Sequence, residues 1–217
     1  MKRKTLSVLA ACLALCLLLA ACGADLSAYP VMDTVALADL ELEVVSNDEI
    51  SVQYPAGEWT GVDGSVPLTV YYAETMDSGQ AVNVNAQQSG TYSGKLTEKY
   101  LNSLLESFAE TFPNMDIQLA ELRTLDGKPV IYMESVMQFT NDAIDYFIEQ
   151  GVWTEDYIDS VGGRDFILSI PPTDQVTLYT VKGAYLYVYT GTYYEESQRA
   201  DVLEALTVMA QTTAEVK

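Results

Sequence analysis

The sequence contains no histidine, and its three cysteines all lie within the first 22 residues. Without histidine there is no Ser-His-Asp or Cys-His catalysis, no imidazole general base and no zinc site with a histidine ligand. Cys12 and Cys16 belong to a segment that we expect to be removed, as described below, which leaves Cys22 alone. A single cysteine forms no disulfide within the chain and provides no thiolate cluster for a metal.

Basic residues are also scarce. The chain has 11 lysines and arginines against 31 acidic residues, and none of the basic residues lies between Lys4 and Lys95. A nucleic-acid partner is excluded on these grounds, because phosphate binding depends on Lys and Arg. The same excess of acidic over basic residues argues against electrostatic binding to anionic lipid. The acidity favours a soluble exported protein repelled by its own bilayer, and an acidic recognition surface is the alternative.

The first 22 residues have the order of a secretory signal. Lys2-Arg3-Lys4 precede a largely apolar run over residues 6–21, and the run ends in Leu19-Ala20-Ala21-Cys22. This ending resembles a bacterial lipobox, in which the cysteine is acylated. An uncleaved membrane anchor is one alternative, but 16 residues span about 24 Å, less than the ~30 Å hydrocarbon core. A cleavable signal with a chance cysteine is the other.

Three regions follow from this interpretation. Residues 1–21 are predicted as a lipoprotein signal peptide, residues 22–45 as a tether and residues 46–217 as the folded domain. Cys22 would carry the lipid, with palmitate-like acyl chains, and would become the first residue of the mature protein. Two acyl chains give a stable anchor. We therefore expect a lipid-anchored protein on the extracytoplasmic face of a bacterial cell membrane. The later part of the tether could pair as an edge strand.

Apolar periodicity predicts strands first and a helix afterwards. Residues 50–54, 68–72 and 82–86 alternate as strands do, with Asp77-Ser78-Gly79 as a turn. Thr97 is the predicted N-cap of an amphipathic helix that stops at Pro113. The apolar stripe of this helix is Leu101, Leu104, Leu105, Phe108 and Phe112. We expect this helix to lie on the sheet with Phe108 fully buried, and Trp59 to close one end of the same core.

The second half of the chain predicts two hairpins. Residues 117–125 and 130–138 flank Asp126-Gly127, and residues 176–181 and 184–190 flank Lys182-Gly183. Ser197 is the predicted cap of a closing helix that turns Val202, Leu206 and Met209 inward.

An insertion at about residues 141–173 separates the two hairpins. Asn141 and Thr154 are the predicted caps of two short helices, and residues 167–170 form a brief strand. The resulting order of elements predicts an α+β fold, in which one antiparallel sheet is covered by helices.

This pattern resembles the PsbP-like superfamily, including its bacterial lipoprotein members, over residues 46–213. The resemblance implies a PsbP-like three-layer sandwich used for docking or assembly at a membrane surface, with no catalytic motif and no cofactor. Fold likeness alone does not give an activity. The resemblance to the PsbP-like superfamily depends on these features: Ile50-Ser51-Val52-Gln53-Tyr54-Pro55 with Trp59, Val82-Asn83-Val84-Asn85, the helix over 97–112, Asp126-Gly127, Lys182-Gly183-Ala184-Tyr185 and Tyr193-Tyr194.

The insertion is rich in acidic residues and is a candidate interaction surface. Three of them share one face of the first predicted helix, and only Arg164 opposes the set in charge. Carboxylates could provide oxygen ligands for Ca²⁺, but no EF-hand loop is present, and a solvated helix face has the same pattern. We therefore assign no residue of the insertion as a metal ligand. The acidic candidates are Asp142, Asp145, Glu149, Glu155, Asp156 and Asp159, with Asp165 beside them.

Tyrosines form the second candidate surface. Tyr185, Tyr187 and Tyr189 alternate along one predicted strand and must share a face, while Leu186 and Val188 take the other. An exposed face would be an aromatic platform for a glycan or a peptide. The alternative is a half-buried core with hydroxyl groups at its rim.

These features favour a membrane-tethered, non-enzymatic interaction or assembly module that docks to another envelope protein. A ligand- or glycan-binding lipoprotein that serves a membrane partner is the alternative function. Hydrolysis by paired carboxylates is a third, weaker interpretation, because 31 acids guarantee some close pair by chance.

Overall fold

The computed structural model describes residues 26–76 and 80–216. The predicted signal, the lipidation site Cys22 and the predicted turn at Asp77-Ser78-Gly79 lie outside the described residues. The described strands are β1 (Leu42–Ser46), β2 (Ile50–Pro55), β3 (Trp59–Val62), β4 (Leu68–Tyr72), β5 (Asn83–Thr91), β6 (Met115–Leu125), β7 (Lys128–Met137), β8 (Thr173–Lys182), β9 (Tyr185–Tyr193) and β10 (Ala214–Glu215). The described α-helices are α1 (Glu98–Thr111), α2 (Asn141–Glu149), α3 (Glu155–Ser160), α4 (Arg164–Ser169) and α5 (Arg199–Thr212).

Seven strands form one antiparallel sheet in the order β3-β4-β5-β9-β8-β7-β6. Helix α5 packs on one face of this sheet, beside a smaller sheet of β1, β2 and β10. Helix α1 packs on the other face, against β6. The arrangement confirms the predicted α+β class, an antiparallel sheet between helical layers.

The main core lies between the sheet and α5. The alternation in β2 places Ile50, Val52 and Tyr54 in this core, because successive side chains of a strand point to opposite faces. Helix α5 contributes Val202, Leu206 and Met209, which are all buried as predicted.

The smaller core lies under α1, and two predictions about it, the full burial of Phe108 and the place of Trp59, are wrong. Thr97 caps α1, since its side chain accepts a hydrogen bond from the Tyr100 amide at 3.3 Å. Leu101 is buried, but Phe108 is only half-buried and its ring lies 5.7 Å from that of Phe112. The helix lies over the edge strand β6, so that part of its apolar stripe stays at the surface. Trp59 is buried in the main core, across the sheet from α1.

Three local predictions are also wrong. Residues 167–170 belong mostly to α4 instead of a strand, because four residues, of which three are apolar, are too few to distinguish the two periods. Ser197 does not cap α5, because it lies inside a short 3-10 helix (Glu196–Gln198) that precedes α5 and that Glu195 caps through a capping box with Gln198. Thr140, instead of Asn141, caps α2.

Residues 26–45, which the sequence assigns to a tether, contact the domain closely. The Met32 amide donates to the Thr124 carbonyl at 2.8 Å, and the Thr124 amide donates to the Pro30 carbonyl at 2.9 Å. Met32 is buried in the main core, and β1 pairs with β2. This part of the chain therefore belongs to the folded domain, and its end forms the edge strand that the sequence left open.

The sheet has two chemically different ends. The turns after β6 and β8 lie at one end, together with Leu26, the first described residue. The segment between β7 and β8 lies at the other end, because it leaves β7 at Met137 and enters β8 at Thr173. Ten residues of β7 separate the ends by about 30 Å. Among the residues that the structure describes, no helix is long and apolar enough to span a membrane.

Candidate functional site

The predicted insertion forms a small helical unit of α2, α3 and α4. Thr140 and Thr154 begin the first two helices by accepting hydrogen bonds from the Ala143 and Tyr157 amides, at 3.2 and 3.1 Å. Gly163, with φ of +83°, begins the third. A positive φ of this kind suits glycine, which has no Cβ to collide with the backbone. Short capped helices joined by glycines give the unit a defined shape.

The unit has a core of its own. Ile144, Ile158 and Ile167, one from each helix, are buried together. The rings of Phe147 and Trp153 lie with their centroids 4.9 Å apart and support this cluster. The unit is thus held by its own apolar contacts at the end of the sheet, a satellite of the two main clusters.

Apolar side chains remain exposed on the same unit. Val152 is 65% exposed, Tyr157 is 47% exposed and Phe166 is 54% exposed. Tyr157 and Phe166 directly precede Ile158 and Ile167, so each short helix sends one side chain into the core and its neighbour into solvent. Contiguous exposed apolar side chains are a feature of protein interaction sites, and the Tyr157 ring adjoins that of Trp153, with centroids 5.8 Å apart. No sequence pattern predicted their exposure, because periodicity does not show which apolar residue a short helix buries.

All six acidic candidates of the insertion are exposed in the structure: Asp142, Asp145, Glu149, Glu155, Asp156 and Asp159. Arg164 contacts two of them, since its guanidinium lies 2.6 Å from the Asp145 carboxylate and 3.8 Å from that of Glu155. The hydrogen bond to Asp145 raises the pKa of Arg164. Within residues 26–76 and 80–216, no group of three or more acidic side chains is arranged to hold a metal ion.

The tyrosine strand is part of the core and not an exposed platform. Tyr187 and Tyr189 are buried under α5, and Tyr185 packs at the edge of the same cluster. The hydroxyl of Tyr189 lies 2.6 Å from that of Thr213. Burial raises the pKa of Tyr189 to about 12. The predicted alternation is correct, but Tyr187 and Tyr189 are not available to a partner at the surface.

A polar cluster that the sequence did not indicate joins α5 to the sheet. Arg199, the first residue of α5, donates to the Glu134 carboxylate and, at 3.1 Å, to the Tyr132 hydroxyl. Tyr132 itself donates to Glu134. The Arg123 guanidinium lies 3.5 Å from the centre of the Tyr132 ring, a cation–π contact.

The electrostatics of this cluster suit a structural role. Burial opposes the ionisation of Glu134, but hydrogen bonds from Tyr132 and Arg199 outweigh it and lower the pKa of the carboxyl group. Burial and the bond to Glu134 raise the pKa of Tyr132 to about 12. A carboxylate with a lowered pKa and occupied lone pairs is a poor general base. The cluster therefore fixes the start of α5 on β7.

The end of the sheet opposite the insertion carries a groove of about 280 Å³. Leu26, Leu96, Pro129 and Val181 provide apolar walls, and Lys95 and Lys128 lie at its edge. These two lysines are 33 positions apart in the sequence and meet because α1 begins at the end of the sheet where β7 begins. No sequence motif indicated this groove.

The fold is similar to that of solved structures at low sequence identity. No protein-family model and no curated protein sequence matches the chain. The solution structure of cyanobacterial PsbP from Synechocystis has a TM-score of 0.42 and 13% identity, over 85% of this chain and 98% of that one. The crystal structure of LpqN, involved in cell envelope biogenesis of Mycobacterium tuberculosis, has a TM-score of 0.43 and 11% identity, with the same coverage. At identities of 13% and 11% these similarities concern the fold alone.

Proposed function

We propose that the protein is a lipid-anchored, non-enzymatic interaction module of the bacterial cell envelope. In this proposal Cys22 carries the lipid and holds the domain at the extracytoplasmic face of the membrane. The helical unit of α2, α3 and α4 docks to another envelope protein. The anchor restricts the search of the domain to the membrane surface, and the docking unit supplies the specificity.

The observation that carries this proposal is the exposure of Val152, Tyr157 and Phe166 on one small unit. The unit lies about 30 Å from the end of the sheet where the described chain begins. A protein tethered through its N-terminal segment can therefore keep this unit away from the bilayer. Aromatic side chains at the centre of an interface contribute most of the binding energy in many complexes.

Charge defines the chemistry of the partner. Exposed acidic residues occur on all three helices of the unit, while Arg164 is its only basic residue. A matching surface would have an apolar depression for Tyr157 and Phe166, with lysines or arginines around it. Opposite charges of this kind accelerate association and select the partner more than they raise affinity.

Two further observations support a non-enzymatic role. The sequence has no histidine, and its cysteines all lie at or before position 22. Glu134, whose pKa is lowered, is occupied by Arg199 and Tyr132. A glycan platform on the tyrosine strand loses its support, because Tyr187 and Tyr189 are buried.

Site-specific photo-crosslinking tests the docking surface in cells. A photoreactive amino acid would replace Phe166, and the same amino acid would replace Val44 on β1 as a matched control, since Val44 is 57% exposed. We expect one discrete membrane-fraction adduct from position 166 and none of that size from position 44. Mass spectrometry of the adduct identifies the partner.

The purified partner then allows a quantitative test. Tyr157→Ser with Phe166→Ser should weaken binding at least about tenfold, whereas Val44→Ser should leave it unchanged. Unchanged melting temperatures would show that both variants remain folded. Equal binding by the two variants, or equal adducts at the two positions, would contradict docking through the helical unit.

A further inference from the structure

The groove at the opposite end of the sheet combines an apolar floor with a basic edge. Leu96 is buried at its base, and Val181 and Pro129 are half-buried in its wall. Lys95 and Lys128 are exposed at the edge. A smaller neighbouring cavity shares Lys128, Pro129 and Val181 with the groove and adds Lys182. Such a combination suits a molecule with an anionic group attached to a short apolar segment.

The basic residues are distributed unevenly in this acidic protein. The chain after residue 21 carries eight basic residues against 31 acids, a net charge of −23. Four of the eight, Lys95, Lys99, Lys128 and Lys182, lie at the turn end of the sheet. Three acids lie there too: Asp126, whose carboxylate accepts from the Gln211 amide group at 3.3 Å, Glu98 at the start of α1 and Glu215 beside Gly183. The overall composition predicts repulsion from anionic lipid, but it does not show that basic residues are concentrated at this end of the sheet.

We propose that the groove seats the phosphate and glycerol of an anionic phospholipid in the membrane to which the chain is tethered. The phosphate lies between Lys95 and Lys128, and the glycerol with its first methylene groups lies on Leu96 and Val181. This inference rests on the proposed lipid anchor for its location and on the groove for its chemistry. It makes this end of the domain face the bilayer.

The chain itself brings the groove to the membrane. Leu26 lines the groove, and Cys22 precedes it by four residues. Four residues span at most about 14 Å. A lipid on Cys22 therefore keeps the groove within reach of the head groups of neighbouring phospholipids.

Distance and salt weaken the repulsion between the acidic helical unit and anionic lipid at the groove. The acids of the helical unit lie about 30 Å away along β7, whereas the Debye length is about 8 Å at physiological ionic strength. At the membrane surface the four lysines therefore act against the three acids of their own end, Glu98, Asp126 and Glu215, and the distant acids of the helical unit are screened. The repulsion of the acidic end adds to the orientation, because it directs the helical unit away from the bilayer.

Hydrogen exchange on the reconstituted full chain tests this proposal. The protein is purified from the membrane fraction and reconstituted into phosphatidylcholine vesicles, with and without 30% phosphatidylglycerol. We expect slower amide exchange at residues 94–96, 128 and 130 in the vesicles with phosphatidylglycerol, and recovery in 0.5 M salt. Lys95→Gln with Lys128→Gln should abolish this difference between the two lipids.

A matched variant controls for the change in net charge. Asn141→Asp with Gln150→Glu also lowers the charge by two, on exposed residues of the helical unit. This variant should keep the protection of the groove. Equal exchange in the two lipids, or persistent protection in the lysine variant, would overturn the proposal. Protection by inorganic phosphate alone would assign the groove to a free anion, and protection that follows protein concentration would assign it to a second copy.

Failure of the anchor is detected separately. A mass spectrum of the N-terminal peptide shows whether Cys22 carries lipid. If it does not, the same vesicles are sedimented with the soluble protein. The proposal then predicts about 30-fold weaker partitioning of the lysine variant into vesicles with phosphatidylglycerol. Equal sedimentation of the lysine variant and the unmodified protein would reject the groove independently of the anchor.

Discussion

Gly191 of β9 lies directly against Val202 of α5. A Cβ atom built on Gly191 would lie 2.3 Å from Cγ1 of Val202, far inside van der Waals contact. The helix thus approaches the sheet closely at a position where the strand has no side chain. This contact fixes the height of α5 above the central strands, which also bear Tyr187 and Tyr189.

Gly191→Ala should lower the free energy of unfolding by about 1–3 kcal/mol, because the added methyl group forces α5 away from β9. Urea denaturation measures the change. Combining Gly191→Ala with Val202→Ala should recover part of the loss, with a coupling of about 1 kcal/mol or more. Strict additivity of the two substitutions would show that the helix does not contact the glycine.

Leu101→Ala should destabilise the domain more than Phe108→Ala. Leu101 is buried under α1, so its truncation should cost about 2–4 kcal/mol. Phe108 is half-buried, and we expect about 1–2 kcal/mol for its truncation. Glu106→Ala, on the exposed face, is the control and should change stability by less than about 0.5 kcal/mol. A larger loss for Phe108 than for Leu101 in urea melts would contradict this placement of the helix.

Lys182 should make stability rise with pH above neutrality. Burial, with a smaller contribution from Lys128, lowers the pKa of Lys182 from 10.5 to about 8, and Asp126 acts in the opposite direction. Below pH 8 the side chain is protonated in both states, and the fold bears the full cost of burying the charge. Between pH 8 and 10.5 the folded state loses its proton first, so the free energy of unfolding increases.

Urea melts between pH 7.5 and 9.5 measure this slope. Lys182→Met keeps most of the side chain's apolar volume and should flatten the slope. Above about pH 10 the buried tyrosines act in the opposite sense, because their pKa is raised and they ionise first in the unfolded chain. An unchanged slope in Lys182→Met would show that another group titrates in this range.

The sequence predicts those elements in which the apolar periodicity agrees with the turn and capping residues at the ends. The strand at β4 has its predicted bounds, and the hairpin of β6 and β7 turns at Asp126-Gly127 as expected. By contrast, β3 was not predicted as a strand and β1 was only a possible edge strand, because both are short and lack clear alternation. These strands form by pairing with β2 and β4, and the local sequence pattern does not show such pairing.

The candidate sites were less predictable than the fold. The acidic insertion is visible in the sequence, but the exposure of Tyr157 and Phe166 depends on how three short helices share one small core. Tyr187 and Tyr189 were correctly placed on one face, but α5 covers that face. The groove brings together Leu26, Lys95 and Lys128, and only the topology of the sheet shows that these residues meet.

The state of Cys22 in the mature protein tests the central claim most directly. Mass spectrometry of the N-terminal peptide from the membrane fraction should find a chain that begins at Cys22 and carries a diacylglyceryl group on its sulfur. Cys22→Ser should abolish this species and leave the precursor uncleaved or the protein released from the membrane. A mature chain that begins elsewhere, with an unmodified thiol or no cysteine, would contradict the account of a lipid-anchored module.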